Sequence, residues 1–373
     1  MSLSPLAPIR MHIPKHTAMT RQPRHAARAA QGLLEKGCLW PLAPAAIAVD
    51  VAARCKQWAF RLGLRQRHRA PVPVIAVGNC IAGGSGKTPL VAWIRDRCVA
   101  HGAQPAVVAR GYKGDGEAND EARMLGSATY CHPQRIVAAR RAAADGATVI
   151  ILDDAFQHQQ CHRDLNLVCV DATRPWGWPG SRRGALLPWG LMREPAAAIR
   201  RADAVIATRC DQAPRALLEH LQACCRHWRL PLLRSQHAPH AVHSLTDPSH
   251  TQAPSELWGR RVVACSAIAR PQAFHRTLQG LGARIVGHRA FPDHYHFQTP
   301  DMHDLAHAAR SLQASIVCTA KDAVKLTPLL QAHTTANLVE QPWLALDIAL
   351  SFNADDNHTL SGMIHQVLEE HSP

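Results

Sequence analysis

The residues that could do the most chemistry in this 373-residue chain are consecutive: Gly78-Asn79-Cys80-Ile81-Ala82-Gly83-Gly84-Ser85-Gly86-Lys87-Thr88. They follow an apolar, β-branched run, VPVIAV (72–77). They precede a helix-like stretch from about Pro89, in which Leu90, Val91, Ile94 and Cys98 share one side. Strand, glycine-rich turn and helix make up the context that a phosphate-binding loop requires. Glycines let successive backbone N–H groups turn inward on phosphate oxygens, and the helix N-terminus adds partial positive charge. On this reading Ile81, Ala82, Gly83, Gly84, Ser85, Gly86, Lys87 and Thr88 cradle a nucleotide's phosphates. Lys87 reaches the β- and γ-phosphates, and Thr88 offers its hydroxyl to Mg²⁺. The strict G-x-x-x-x-G-K-[ST] spacing is not met, because Ile81 stands at the first glycine position. The loop is of the G-G-x-G-K-T type.

Such a loop needs carboxylates on its metal side. The run TVIIL (148–152) ends in Asp153-Asp154, at the C-terminal end of an expected buried strand, where P-loop enzymes hold Mg²⁺. Strand ends of a parallel sheet gather on one edge, so Asp153 or Asp154 can approach Thr88 and share one cation with it. Other ligand types are less well arranged. His158, Cys161 and His162 lack a fourth partner at useful spacing, and none of the 12 cysteines forms a C-x-x-C pair. Cys169, Cys265 and Cys318 sit inside apolar runs and read as reduced core thiols.

The elements that must position these groups are short apolar runs: VPVIAV (72–77), PAVVA (105–109), TVIILD (148–153), LNLVCVD (165–171) and DAVIAT (203–208). Helix-like stretches separate most of them. That alternation predicts an α/β fold, a P-loop NTPase-like, mainly parallel sheet with helices on both faces. A polar stretch at 233–256, rich in His, Ser, Thr and Pro, reads as a linker. Beyond it, RVVACS (261–266), a helix at about 271–281, a helix after Thr299-Pro300-Asp301 and SIVCT (315–319) predict a smaller C-terminal α/β domain. The expected organisation is a basic N-terminal extension and membrane-associating segment (1–70), a P-loop core (71–232), the linker, the smaller domain (257–350) and a C-terminal tail or helix (351–373).

Composition sets the class of partner. Hydrophobic residues at 47% and charged residues at 19% exclude a mainly disordered chain. Lys and Arg number 42 against 28 Asp and Glu, a net charge of +14, and about ten of those charges lie in residues 1–70. The rest is nearly neutral, which speaks against a nucleic-acid enzyme with a basic face and for a basic attachment segment. No obligate protein partner is evident. The first 36 residues show no continuous apolar core of a secretory signal. The apolar stretch 37–53 holds Pro41, Pro44 and Asp50 in 17 residues, short of the roughly 20 a membrane span needs. It fits an interfacial amphipathic segment, with Trp40, Ile47 and Val51 in lipid and the basic residues of 54–69 on an anionic surface. It also fits an ordinary helix packed on the body.

Several segments occur in a telling order: PVPVIAVGN-x-x-x-GGSGKTPLV (71–91), ARGY (109–112), NDE (119–121), DDAFQH (153–158), RD (163–164), LLPWGLMREP (186–195), DAVIATR (203–209), FPDH (291–294) and TAKDAVKL (319–326). With them the chain from about 34 to 350 resembles the tetraacyldisaccharide 4′-kinase family, enzymes of lipid A biosynthesis. The resemblance implies ATP-dependent phosphorylation of the 4′-hydroxyl of a tetraacylated glucosamine disaccharide 1-phosphate, giving lipid IVA, by a monotopic or peripheral protein at the cytoplasmic face of the bacterial inner membrane. It implies Asp120 as general base on the 4′-hydroxyl, His294 as its partner, Asp153 and Asp154 at the metal, and Glu194 near Mg²⁺. The sequence departs from the family pattern at Ala109, Asn119, Ala155, Ala267 and Ala269, and Lys87 and Asp120 lie closer together than in that pattern.

Two other readings compete. Thr208-Arg209-Cys210-Asp211 loosely matches the T-K-x-D element that reads guanine, as in another P-loop ATPase or GTPase. A non-enzymatic basic module would leave the loop and the acidic pair unexplained.

Overall fold

Alternation of buried side chains along the strands decides the layering. The computed structural model describes residues 42–109, 128–178, 182, 184–247, 249–268, 271–293, 295–332, 338 and 340–371. Among them are helices α1 (Ala43–Arg61), α2 (Lys87–Ala100), α3 (Arg135–Ala144), α4 (Arg215–Trp228), α5 (Pro271–Gly280), α6 (Thr299–Ser311), α7 (Ala320–Ala332) and α8 (Ala354–Glu369). Strands β1 (Val74–Gly78), β2 (Pro105–Ala109), β3 (Thr129–Cys131), β4 (Val149–Leu152), β5 (Leu165–Asp171) and β6 (Ala204–Thr208) run parallel in the order β3-β2-β4-β1-β5-β6. Successive strand residues face opposite sides. Ile75, Val77, Ile151, Leu167 and Cys169 pack with Leu90, Val91, Ile94 and Cys98 of α2. Val74, Ala76, Ile150 and Leu152 pack on the opposite face with Ala138, Ala139 and Ala142 of α3. The expected parallel sheet with helices on both faces is what forms.

The second half continues the same sheet. Strands β9 (Arg261–Ser266), β10 (Arg284–Ala290) and β11 (Ser315–Thr319) are parallel to one another, and β11 is parallel to β12 (Trp343–Phe352). Here too alternate residues divide between two cores. Val263, Cys265, Ile316 and Cys318 pack with α6 and α7, while Val262, Ala264 and Val317 pack with Phe274 and Leu278 of α5. In α6 the first turn closes as its Pro300 suggests, with the Asp301 carboxylate accepting the Gln298 N–H at 2.9 Å.

The segment expected as a linker, 233–256, is mostly strand. Strand β7 (Leu232–Ser244) pairs parallel with β6 through Leu232–Arg234, then antiparallel with β12 from Ser235 to Ser244; β8 (Thr251–Gln252) pairs with its far end. Its polar side chains alternate with Leu233, Ser235 and Val242, which are buried, and that pattern suits a strand wet on one side. Residues 354–369, expected as a tail or helix, form α8, which returns to the first half: Leu360, Ile364 and Val367 join the α2 core. Each such buried side chain contributes about 1.5–3 kcal/mol.

Across the β7–β12 seam His243 Nδ1 lies 3.0 Å from Asp347 Oδ2. The bond to Asp347 raises the His243 pKa, against a smaller opposing effect of burial. A raised folded-state value makes this contribution full below the unfolded imidazole value of about 6.5 and lost as pH rises through the folded value. The difference in melting temperature between wild type and His243→Ala is therefore expected to be largest at pH 5–6 and to shrink by pH 8–9. A pH-independent difference would contradict this.

Helix α1 rests on the body through Ala46 and Phe60, and Lys56 Nζ donates to the Gln157 carbonyl at 2.9 Å. The opposite side is exposed and apolar: Ile47 is 64%, Val51 53%, Trp58 64% and Leu62 65% accessible. At 100° per residue these four fall within a stripe of about 60°. Among the described residues no helix is long and apolar enough to cross a membrane.

Candidate functional site: a glycine loop facing an acidic turn

The loop leaves β1 at Gly78, and the next strand's turn is pressed against it. A Cβ at Gly78 would lie 2.4 Å from the Phe156 nitrogen, so only glycine lets the 153–156 turn close over the end of β1. Asn79, fully buried, shapes the loop from inside. Its Nδ2 donates to the Ile81 carbonyl at 2.8 Å and to Ser85 Oγ at 2.9 Å. Gln157 Nε2 donates to the Asn79 carbonyl at 2.7 Å. Ile81 bridges to Met192, and Ala82 N donates to the Leu191 carbonyl at 2.7 Å, so the first half of the loop is held as an extra strand-like pair. The Ser85 carbonyl accepts from Thr208 Oγ1 at 2.8 Å and Cys169 Sγ at 2.9 Å. Burial pushes the Cys169 thiol up to about 12, so it remains a protonated donor. Gly83 and Gly84 stay exposed. Gly86 has φ +88° and caps α2.

The acidic turn is pinned from behind. Arg135, buried at the start of α3, donates through Nη2 to the Asp153 carbonyl at 3.0 Å and the Asp154 carbonyl at 2.9 Å. Asp153 is 5% exposed, and its Oδ1 accepts the Asp154 N–H at 2.8 Å. Asp154 adopts φ +47°, a conformation that Asp tolerates better than most residues. Its carboxylate meets Lys87 Nζ at 3.4 Å and Arg193 Nη1 at 3.0 Å. Burial pushes its pKa up, but Lys87, Arg193 and Arg135 outweigh that and hold it below the usual carboxylate value. Loop and turn, 66 residues apart between Lys87 and Asp153 in sequence, thus form one site, as the parallel topology requires.

The residues present fit a magnesium nucleotide. Two carboxylates, a threonine in the first turn of α2 and exposed loop glycines for phosphate match the habit of Mg²⁺, which takes one or two carboxylates and completes its shell with phosphate oxygens and water. Among the described residues no group of three or more His, Cys, Asp or Glu could form a protein-only cage. That includes the His158, Cys161 and His162 trio: Cys161 is buried and His162 Nδ1 faces Asp164 at 3.4 Å.

Glu194 is buried, and its carboxylate pairs with Arg201, whose guanidinium stacks on the Phe156 ring at 4.4 Å. Its neighbour Arg193 faces Asp154 instead. Asp120 and His294 lie outside the described residues. Beside position 294, Asp293 pairs with Lys321 at 3.2 Å and Tyr295 donates to Asp301 at 3.2 Å. Arg193, Gln157 and Arg135 carry no sequence signal of their own in this role, because each acts through a partner distant in the chain. A further basic group sits on the other flank: Asp171, at the end of β5, pairs with Arg209 at 2.7 Å and Arg174 at 3.5 Å.

This arrangement has relatives. A family model described as tetraacyldisaccharide-1-P 4′-kinase (LpxK) matches residues 38–369. A tetraacyldisaccharide 4′-kinase of Anaeromyxobacter sp. (strain Fw109-5) is 40% identical over 326 residues, 81% of this chain and 85% of its own length. That of Rhodospirillum centenum is 37% identical over 319 residues, 81% of this chain and 87% of its own length. The fold is similar to a crystal structure of LpxK from Aquifex aeolicus in complex with ATP, at a TM-score of 0.67 and 22% identity, over 88% of this chain and 99% of that one. The family model spans most of the chain, and a relative is 40% identical over four-fifths of it, so the chain belongs to the tetraacyldisaccharide-1-P 4′-kinase family.

Proposed function

We propose that this protein transfers the γ-phosphoryl group of ATP to the 4′-hydroxyl of a tetraacylated glucosamine disaccharide 1-phosphate. The observation that carries the reading is the 3.4 Å contact between Lys87 and Asp154, which joins a phosphate-binding loop to a metal-side acidic turn in a chain of this family. The amides around Gly83–Thr88 bind phosphate oxygens, and Lys87 shifts from Asp154 to the triphosphate when the nucleotide enters. Asp153, Asp154 and Thr88 would hold Mg²⁺, which supplies neutralisation of the phosphate charge. Glu194 joins that set only by exchanging its bond to Arg201. Arg193 keeps Asp154 ionised while Lys87 is engaged elsewhere. Asp120 accepts the proton of the 4′-hydroxyl as its oxygen bonds to phosphorus and ADP leaves, and His294 orients Asp120. These two assignments rest on the family motifs alone.

The acceptor is a lipid, and α1 supports a lipid-facing placement. Its exposed Ile47, Val51, Trp58 and Leu62 are flanked by Arg54, Arg61, Arg65 and Arg67, all exposed, a pairing that suits an anionic bilayer surface. Replacing Ile47 and Trp58 by Ser is expected to lower sedimentation with phosphatidylglycerol vesicles at least 10-fold, from about 1.5–3 kcal/mol for each large apolar group withdrawn from lipid. Unchanged sedimentation would remove α1 from the contact.

The enzymatic test is direct. Purified protein, Mg²⁺ and γ-labelled ATP are incubated with the tetraacylated disaccharide 1-phosphate, and the labelled bis-phosphorylated lipid is sought. Its absence, or equal labelling from GTP, would overturn the reading.

A further inference from the structure

The phosphate loop has two flanks, and only one is used by the mechanism above. On the β4 side, Lys87 and Arg193 share the single carboxylate of Asp154. On the β5–β6 side, Arg174 and Arg209 share the single carboxylate of Asp171, which is 2% exposed. Among the described residues, the carboxylates of Asp154 and Asp171 thus each meet two cations.

The two arginines on the second flank are not equivalent. Arg209 Nη1 lies 2.7 Å from Asp171 Oδ2 and 3.4 Å from the Gly84 carbonyl, so it straps the loop to β5. Asp171 is satisfied without Arg174: its Oδ1 accepts from Thr173 N at 3.0 Å and Thr173 Oγ1 at 2.7 Å, and its Oδ2 has Arg209. Arg174 approaches Asp171 less closely than Arg209 does, with Nε 3.5 Å from Oδ2. Its other end points at the loop, with Nη2 3.6 Å from where a Cβ on Gly83 would stand. Gly83 is exposed, has φ +108° and has no side chain to shield that guanidinium. The backbone beneath it is fixed, because Arg174 N donates to the Asp171 carbonyl and Gly177 N to the Arg174 carbonyl, both at 3.0 Å, and Trp176 is buried against Trp228. A planar donor fork, one-fifth exposed and held beside the bare Gly83, is suited to a phosphate oxygen pair.

We propose that Arg174 is a phosphate-binding residue, gripping the nucleotide's phosphate chain from the flank opposite Lys87, while Arg209 positions the loop. The proposal rests on the ATP-dependent reading and adds a contact to it. Arg174 binds ground state and transition state alike, so its loss appears in affinity for the nucleotide and not in the chemical step.

The test compares wild type, Arg174→Ala and Arg174→Lys by calorimetric titration with Mg-ATP, by steady-state kinetics with both substrates, and by thermal melting. Arg174→Ala is expected to raise the Kd and KM for ATP about 10- to 100-fold, the range of a lost charged hydrogen-bond pair. The lipid-acceptor KM and kcat should stay within threefold. Arg174→Lys, which keeps the charge but not the fork, should fall between. Nucleotide affinity within threefold of wild type in both variants overturns the proposal. So does an equal rise in both KM values with a lowered melting temperature, which marks a scaffold role. A wild-type protein that does not bind Mg-ATP would sink the ATP reading and this contact with it, whereas wild-type binding that survives both substitutions removes Arg174 alone.

Discussion

Lys87→Ala lowers kcat/KM for phosphoryl transfer by about 10²–10³-fold, the cost of removing one preorganised donor from developing phosphoryl charge. Lys87 is the cation placed at the head of α2 where that charge would form, and its present partner is Asp154 at 3.4 Å. The fold should survive the change, since Asp154 keeps Arg193 at 3.0 Å. Melting near neutral pH is therefore expected to fall by no more than about 2–4 °C. The acid limb will respond differently. Asp154 has a depressed folded-state pKa, so its contribution is present above the unfolded value of about 3.9 and is lost as pH falls through the folded value. Without Lys87 that depression lessens, and acid unfolding begins at higher pH. Turnover within fivefold of wild type in the labelled-lipid assay would contradict the role of Lys87.

Asp153→Asn is the second large effect. The amide keeps the oxygen that accepts the Asp154 N–H and keeps the volume of a site that is 5% exposed, so the turn is preserved while one negative charge is removed. Activity at fixed Mg²⁺ is expected to drop about 10²-fold, the scale of losing one electrostatic contact, with partial recovery as Mg²⁺ is raised. Asp154→Asn is the informative contrast. It removes the counter-charge of Lys87 and Arg193, leaving two cations facing each other across the loop. Its defect should include a loss of stability that Asp153→Asn does not show. An unchanged magnesium requirement in Asp153→Asn would take Asp153 out of the metal site.

Much of the nucleotide side was legible because it is local. A buried parallel strand announces itself as an apolar run, and the runs at 105–109, 165–171, 261–266 and 315–319 coincide with β2, β5, β9 and β11. The loop and the acidic turn each directly follow such a run, and a parallel sheet brings those two ends to one edge. The seam between the halves was illegible for a physical reason. In β7 the exposed Gln236 and His240 and the half-buried His237 and His243 lie on a strand whose partner, β12, is about a hundred residues downstream. A half-wet strand with a distant partner has the composition of a linker.

The electrostatics of the site divide the same way. Residue types and their spacing determined on their own that a glycine loop, a lysine and two carboxylates belong together, because phosphate chemistry prescribes that set. Only the tertiary structure decided which of 42 Lys and Arg residues attend them. Arg193 rather than Glu194 faces Asp154, and Arg209 meets Asp171. Neighbouring side chains leave the backbone in different directions, and a guanidinium finds its carboxylate through folded space. Ion pairing between residues far apart in the chain therefore leaves no mark on the local sequence around either partner.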